Sequence, residues 1–248
     1  MISVHLWGGL GNHLWLYAGC RSVAEHLGYQ YHIPRSFKGR PYFNCDLGEP
    51  EERVDKIWDE QKRNGGDFTR QAFDPELLKI EDGTRLAGYF QTERYLLDRE
   101  KIQQWFNVPD NAPLLKESGV DEDTCLIHFR GGDYVGKGQF LPKGYYDDAT
   151  TLMLKLFPGI KFVVVTDDVP LAKVTFPTYE VLGMDVFRCF TLVNKAKYLI
   201  IANSTFSWWA AWLNRKAHLI LAPKYWFAYN GGSHWVPQDS KTVGFTYI

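Results

Sequence analysis

The chain has 248 residues, 45% of them hydrophobic and 23% charged, with a formal net charge of -1. That length suits one large or two small domains, and the balanced charge argues against wholesale binding to nucleic acid or to an anionic membrane. Four cysteines without a C-x-x-C pair and seven histidines without zinc-ligand spacing argue against a disulfide framework and a metal site. No apolar run approaches the roughly 18 residues of a membrane span, and the N-terminus lacks the pattern of a signal peptide. A cytoplasmic chain is therefore expected, with the sequon at Asn203 unglycosylated. Aromatic residues make 16% of the chain; most will be core, and exposed ones would suit a sugar face or a partner surface.

Taken in order, the apolar run Ile2 to Trp7 reads as a first buried strand. The turn Gly8-Gly9-Leu10-Gly11-Asn12 follows, and apolar residues then recur at helical spacing from Leu14 to Leu27. Strand, glycine-rich turn and helix together place backbone N–H groups where an anion can sit. Tyr29 to Ile33 suggests a second strand, residues 35 to 50 a loop, Arg53 to Lys62 a helix, Arg85 to Phe90 a strand and Leu96 to Phe106 a helix. Pro109, Asp110, Asn111, Pro113 and Gly119 make the best boundary in the chain. It divides an N-terminal domain, 1–108, from a C-terminal domain, 120–248, through a linker, 109–119.

Beyond that boundary the pattern is regular. A strand to Phe129 is followed by a helix from Lys143 to Phe157, a strand Lys161 to Thr166 and a short helix near Pro170. Then come a strand Tyr179 to Leu182, a helix Asp185 to Lys197, a strand Tyr198 to Ala202, a helix Thr205 to Leu213 and a strand His218 to Ala222. Alternating strands and helices imply an α/β fold with a parallel sheet covered on both faces. Ligands in such sheets bind at the carboxyl ends of the strands, and three strand ends here are polar. Cys125 to Phe129 delivers Arg130-Gly131-Gly132-Asp133, Val163 to Thr166 delivers Asp167-Asp168, and Tyr198 to Ala202 delivers Asn203-Ser204-Thr205-Phe206-Ser207. An arginine fork suits phosphate, although Asp133 could simply be its ion-pair partner. Asn203 or Ser204 can cap the following helix. Trp208, Trp209 and Trp212 lie on an apolar helix and read as core rather than as a ligand platform.

Three named motifs fail on inspection. Gly9-x-Gly11 opens a dinucleotide fingerprint, but Leu14 holds the third glycine position and Arg35 stands where an acid belongs. Gly131 to Gly138 resembles a phosphate loop with Gly136-Lys137, but position 138 is glycine and Pro142 follows. Asp121-Glu122-Asp123 precedes a strand rather than following one and reads as a solvated turn.

Six segments in order resemble the α-1,2-fucosyltransferases of glycosyltransferase family eleven. Gly8 to Asn12 with Leu14, Tyr17 and Ala18 is similar to the family's opening G-G-L-G-N-Q-L-F-Q-Y-A, and Gly88 to Tyr95 to its G-Y-[FW]-Q-S-E-K-Y. His128-x-Arg130-x-Gly132-Asp133-Tyr134 resembles H-x-R-x-G-D-Y, and Thr166-Asp167-Asp168 resembles S-D-D. Asn203 to Leu213 is similar to N-S-S-F-S-W-W-A-A-W-L, and Pro223-Lys224-x-Trp226-Phe227 to the closing P-K-x-W-F. The chain departs at His13, where the family has Gln, and at Trp15-Leu16 in place of Phe-Gln.

The resemblance implies a GT-B architecture, two Rossmann-like domains facing across a cleft, with the acceptor on the N-terminal side and the donor on the C-terminal side. It implies inverting transfer of L-fucose from GDP-β-L-fucose to the 2-hydroxyl of a galactose-terminated oligosaccharide or glycolipid, with no metal or other cofactor. A lipid-linked acceptor would add peripheral contact of exposed aromatics with the cytoplasmic membrane face. Without a metal the protein must neutralise the leaving diphosphate. Arg130 is the first candidate, with N–H donors from Ser204, Thr205, Phe206 and Ser207 and from the turn of Gly9 and Gly11. By the same resemblance Asn12 would touch the leaving phosphate or the acceptor, and His128 with Asp167 or Asp168 would hold the guanosine. Asp133 is a candidate base but could equally orient Arg130, so the base stays unassigned. The rival readings are the same fold using another GDP-deoxyhexose, a catalytically silent glycan- or nucleotide-binding relative, and a dinucleotide oxidoreductase.

Overall fold

The computed structural model describes residues 1–50, 54–66, 72–136, 138–226, 239 and 241–248. Two compact units form: unit 1 holds the described residues of 1–107 with Asp239, Lys241 and Thr242, and unit 2 holds the described residues of 108–226 with 243–248. Among the described residues, no helix is long and apolar enough to cross a membrane.

Unit 1 is built on a four-stranded parallel sheet. β1 (Ile2–Val4) pairs with β2 (Tyr31–His32) on one side and with β4 (Thr84–Ala87) on the other, and β4 pairs outward with β3 (Lys56–Asp59), giving the order β2-β1-β4-β3. β1 is fully buried, its Ser3 included, as a central strand of a parallel sheet covered on both faces requires. α1 (Leu10–Leu27) buries Leu14, Tyr17, Ala18, Cys20 and Val23 and ends at Gly28, whose φ of 72° lets its N–H reach back to the Ala24 and Glu25 carbonyls. α2 (Glu60–Arg63) is capped by Asp59 and α3 (Arg99–Trp105) by Asp98.

The helix expected over Arg53 to Lys62 is mostly not one; Arg53 itself lies outside the described residues. Lys56–Asp59 is an edge strand, in register with Thr84–Ala87, and only Glu60–Arg63 is helical. The charged composition suggests a helix, but an edge strand is open to water, and both Lys56 and Ile57 are exposed, Ile57 by 69%. Pairing with β4 outweighs the weak local preference.

Unit 2 carries a six-stranded parallel sheet in the order β10-β9-β8-β5-β6-β7. The strands are β5 (Thr124–Phe129), β6 (Lys161–Thr166), β7 (Glu180–Gly183), β8 (Tyr198–Ile200), β9 (Leu219–Ala222) and β10 (Thr246–Tyr247). The helices are α4 (Ala112–Glu117), α5 (Lys143–Leu156), α6 (Val169–Thr175), α7 (Val186–Lys195) and α8 (Thr205–Trp212). The stretch read as a linker thus contains α4, started by the Asn111 cap on the Leu114 N–H and by Pro113 in the first turn. All six residues of β5 are buried, and Cys125, Ile127 and Phe129 pack with Tyr146, Met153 and Phe176 in one core. Trp209 and Trp212 are fully buried, so the tryptophans of α8 are core. β10 was not foreseen: two residues pairing with β9 leave no periodic signal.

The chain order of the unit 2 strands reverses between β5 and β8. From β5 the chain steps outward to β6 and β7, then returns to β8 and steps the other way. At such a switch point the crossover helices depart to opposite faces and leave a crevice at the carboxyl ends. Arg130 and Asn203 follow those two strands.

Candidate functional site

At the switch point of unit 2, β5 runs into Arg130 and then into a tight turn, Gly132–Tyr134. The guanidinium donates to Asp133 Oδ1 at 2.7 Å and to Asp167 Oδ2. Asp167 Oδ1 accepts the Gly131 N–H at 3.1 Å, and Asp168 accepts the Gly132 N–H at 3.3 Å while capping α6 through Leu171. Both glycines are required here. A Cβ on Gly131 would lie 2.6 Å from Asp168 Cβ, and one on Gly132, whose φ is +46°, would lie 2.6 Å from Asp167 Oδ2. The two acids of the β6 end therefore clamp the arginine turn. The ring of Tyr134 lies beside the guanidinium, with Arg130 Cζ 5.1 Å from its centroid.

Three buried polar atoms at this edge have no hydrogen-bond partner among the described residues: Arg130 Nε, His128 Nδ1 and Asn203 Oδ1. Orphans of that kind are uncommon and call for a partner from outside the fold. His128 stands two residues before Arg130, on the same side of β5. Its ring is tilted over Phe206 at 5.3 Å, and burial, helped by the Arg130 charge, pushes its pKa down to about 3. It is a neutral hydrogen-bonding group at any working pH. The Asn203 amide NH2 is committed to the Gln139 and Trp226 carbonyls at 2.8 and 2.6 Å.

The hydroxyls after β8 divide by role. Ser204 caps α8 through the Phe206 N–H at 3.3 Å, and Ser207 is fully buried and donates to the Ala202 and Ser204 carbonyls. Thr205 and Phe206 open α8, and both are only partly buried. Of the donor residues named from sequence, His128, Arg130, Asp167, Asp168, Ser204 and Phe206 are thus joined by contacts within this one edge. Ser207 is turned into the fold.

Unit 1 has its own polar edge, at the carboxyl ends of β1 and β4. Gly8 has φ of +80°, and a Cβ there would meet Asn12 Nδ2 at 2.4 Å. Gly9 starts α1 without a side-chain cap, and Gly11 is buried in the first turn. Asn12 Oδ1 accepts from Gln91 Nε2 at 3.3 Å, which ties the glycine-rich turn to the Gly88–Tyr95 segment. Lys38 Nζ donates to the Gly8 carbonyl at 2.5 Å, and the Lys38 N–H donates to His13 Nδ1 at 3.1 Å. Burial, with the nearby Lys38 charge, pushes the His13 pKa down to about 4.

Glu60 completes this edge and had no sequence signal. Its buried carboxylate accepts the Tyr89 and Phe90 N–H groups at 2.6 and 3.0 Å, and burial raises its pKa. It holds a turn in which Phe90 has φ of +52°. A partner 29 residues away leaves no local pattern to read. Gln91 could have been found, because it lies inside one of the segments quoted above. Lys137 of the rejected phosphate loop and Phe227 of the closing segment lie outside the described residues. Among the described residues, no group of three or more His, Cys, Asp or Glu is placed to hold a metal ion.

Two proteins of Escherichia coli are similar in sequence. One is an alpha-1,2-colitosyltransferase, 33% identical over 172 residues, which are 60% of this chain and 58% of that protein. The other is the O-antigen biosynthesis glycosyltransferase WbnK, 32% identical over 184 residues, 63% of this chain and 59% of that one. The chain thus matches less than two thirds of the length of these relatives. The crystal structure of fucosyltransferase NodZ from Bradyrhizobium superposes with a TM-score of 0.54 at 13% identity, covering 85% of this chain and 91% of that one. That likeness concerns the fold, an α/β GT-B glycosyltransferase architecture. Residues 86–248 match the sequence profile of Glycosyl transferase family 11, a span that includes all of the Arg130 edge. The chain belongs to glycosyl transferase family 11.

Proposed function

We propose that the protein is an inverting glycosyltransferase that transfers L-fucose from GDP-β-L-fucose to the 2-hydroxyl of a terminal galactoside. The observation that carries this reading is the Arg130 edge. A guanidinium held between two carboxylates, with its own Nε and the neighbouring His128 Nδ1 and Asn203 Oδ1 unpartnered among the described residues, is organised in advance for an anionic ligand with further hydrogen-bonding groups. A nucleoside diphosphate offers both. Family membership supplies the nucleotide-sugar class.

The chemistry then follows from charge. Inversion is one in-line displacement: the acceptor oxygen attacks the anomeric carbon as the bond to the β-phosphate oxygen breaks, and GDP leaves with growing negative charge. Arg130 neutralises that charge, with the N-terminal end of α8 contributing its positive dipole end, and no cofactor or metal is assigned. Asp133 and Asp167 fix the plane of the guanidinium; Asp133 is thereby given the orienting role, and the base that takes the acceptor proton is left unassigned. Unit 1, with Asn12 and the Gly9 and Gly11 turn, is assigned to the acceptor side.

A second donor has a specific observation in its favour. One of the two relatives is named a colitosyltransferase, and colitose is fucose without its 3-hydroxyl. The test is GDP release from GDP-fucose and GDP-colitose, with lactose and N-acetyllactosamine as acceptors, with and without EDTA. Acceptor-dependent release from GDP-fucose that survives EDTA is the expected result. Release only from the colitose donor moves the reading to that sugar, and release abolished by EDTA sinks the assignment of Arg130 in place of a metal.

A further inference from the structure

We propose that Trp7 and Tyr89 form the shelf on which unit 1 holds the galactose ring of the acceptor, an inference that rests on the transferase reading above. Val4 and Leu86 are paired at the ends of β1 and β4, and the His5 N–H continues the ladder to the Leu86 carbonyl at 2.9 Å. Trp7 and Tyr89 then leave the sheet together at its carboxyl edge, the side where parallel sheets take ligands. Their ring centroids are 5.3 Å apart at 40°, and His5 meets the indole edge-on at 5.4 Å. Both rings are only half-buried, and His5 is exposed.

Two features separate this pair from ordinary core. The turn that carries Tyr89 is held at a cost. Phe90 is kept at φ +52°, the buried Glu60 carboxylate is spent on the Tyr89 and Phe90 N–H groups, and a Cβ on Gly88 would lie 2.5 Å from Glu60 Cβ. A connection leaving a strand needs none of this, and strained backbone of this kind persists where a side chain must be aimed. The Trp7 indole N–H is buried and has no hydrogen-bond partner among the described residues. A buried tryptophan ordinarily satisfies that group, so this one calls for a partner from outside the described residues.

The neighbours fit a neutral sugar. The Asn12 and Gln91 amides, joined at 3.3 Å, stand beside the pair in the chain: Gln91 is two residues beyond Tyr89, and Asn12 packs on Gly8, next to Trp7. Amides fixed in direction read hydroxyls without requiring charge. Galactose brings the complement. Its axial 4-hydroxyl leaves the C–H groups at carbons 3, 4 and 5 together on one face, an apolar patch that stacks on an aromatic ring while the hydroxyls around the rim stay free to be bonded.

The test uses the full chain with GDP-fucose and lactose. Trp7→Ala and Tyr89→Ala should each raise KM for lactose by about tenfold, with kcat and calorimetric GDP affinity close to wild type, and Trp7→Phe should keep most of the acceptor affinity. Independently, saturation-transfer NMR on the wild-type chain with GDP, irradiating aromatic protons, should mark galactose H3, H4 and H5 above the glucose protons. This second readout needs no truncated side chain to fold. Fucosylation of lactose with an unchanged KM in both alanine variants, or without that transfer pattern, overturns the shelf and leaves the transferase reading intact. Galactose-selective saturation transfer that is lost in Trp7→Ala and kept in Trp7→Phe, in a chain that does not fucosylate lactose, supports the shelf and sinks the transferase reading instead.

Discussion

The two sheet edges solve different recognition problems with different chemistry. In unit 2 the strand ends are ionic: one arginine is fixed by two carboxylates, and buried polar atoms there have no hydrogen-bond partner among the described residues. In unit 1 the corresponding edge is aromatic and amide-lined, and its carboxylate, Glu60, is turned inward to hold backbone. Both edges use glycines whose Cβ would collide with a neighbouring side chain, yet what is brought close differs. Gly131 and Gly132 admit Asp168 and Asp167 to clamp an arginine turn, whereas Gly8 and Gly88 admit Asn12 and Glu60 to shape an aromatic and amide-lined surface beside the Lys38 ammonium. A nucleotide diphosphate needs fixed charge, and a sugar acceptor needs faces and directed hydrogen bonds. The contrast supports the proposed division of labour between donor and acceptor.

The sharpest way to break that division is at Arg130. Arg130→Ala should lower turnover roughly a hundredfold or more, the scale of losing about 3–4 kcal/mol of preorganised charge stabilisation. Arg130→Lys should restore little, because an ammonium cannot bridge Asp133 and Asp167 as the planar fork does. Steady-state kinetics with donor binding measured separately checks this, and near-normal turnover in the alanine variant would remove the basis for the ionic edge.

Glu60 tests the other half. Glu60→Ala leaves two N–H groups in a buried turn without an acceptor, which should cost about 1–3 kcal/mol in thermal unfolding of the chain. Under the proposed division, acceptor KM should rise while GDP affinity holds. Glu60→Gln keeps an acceptor oxygen and should recover most of the loss. A fall in GDP affinity as large as the fall in acceptor affinity would show that the two edges do not work separately. Gly132→Ala makes the reverse claim at smaller scale. The strained φ and the approach to Asp167 should weaken GDP binding by about tenfold, from roughly 1–2 kcal/mol of strain, with little change in thermal unfolding of unit 1.

How much of this was legible depended on the distance over which each feature is encoded. The unit 2 strands and helices are local, periodic and bounded by caps, so most of their limits follow from the sequence; Lys161–Thr166 is a strand from its first residue to its last. The placement of Arg130 and Asn203 beyond strand ends, with His128 two residues before Arg130, was legible because a strand-end position is itself a local property. Lys56–Asp59 was not, because its strand character comes from pairing with Thr84–Ala87 rather than from its own composition. Glu60 was invisible for the same reason, since its role exists only once Tyr89 and Phe90 arrive. The strand-end position of Asp167 and Asp168 suggests nucleotide contacts, but the structure also commits both to the arginine turn, a role set by two glycines that follow another strand. Hydroxyl-rich composition after β8 suggested a ligand site as a whole, while burial assigns Ser207 to the fold.

The smallest effect to measure is at His13, the position where the family segment carries Gln. Burial holds its folded pKa at about 4, below its unfolded value of 6.5. The unfolded chain therefore binds the proton first as pH falls. The stability this histidine contributes is complete above pH 6.5, declines through the window from 6.5 to 4 and is gone below it, at up to about 1.4 kcal/mol per pH unit. His128 adds a parallel decline that continues to about pH 3. His13→Gln removes the first titration and keeps an acceptor for the Lys38 N–H. At pH 7.5 the variant and the wild type should unfold at nearly the same denaturant concentration, and by pH 5 the variant should be the more stable by roughly 1–2 kcal/mol. Curves that stay parallel across that range would show that His13 is protonated without penalty and that burial beside Lys38 does not hold it neutral.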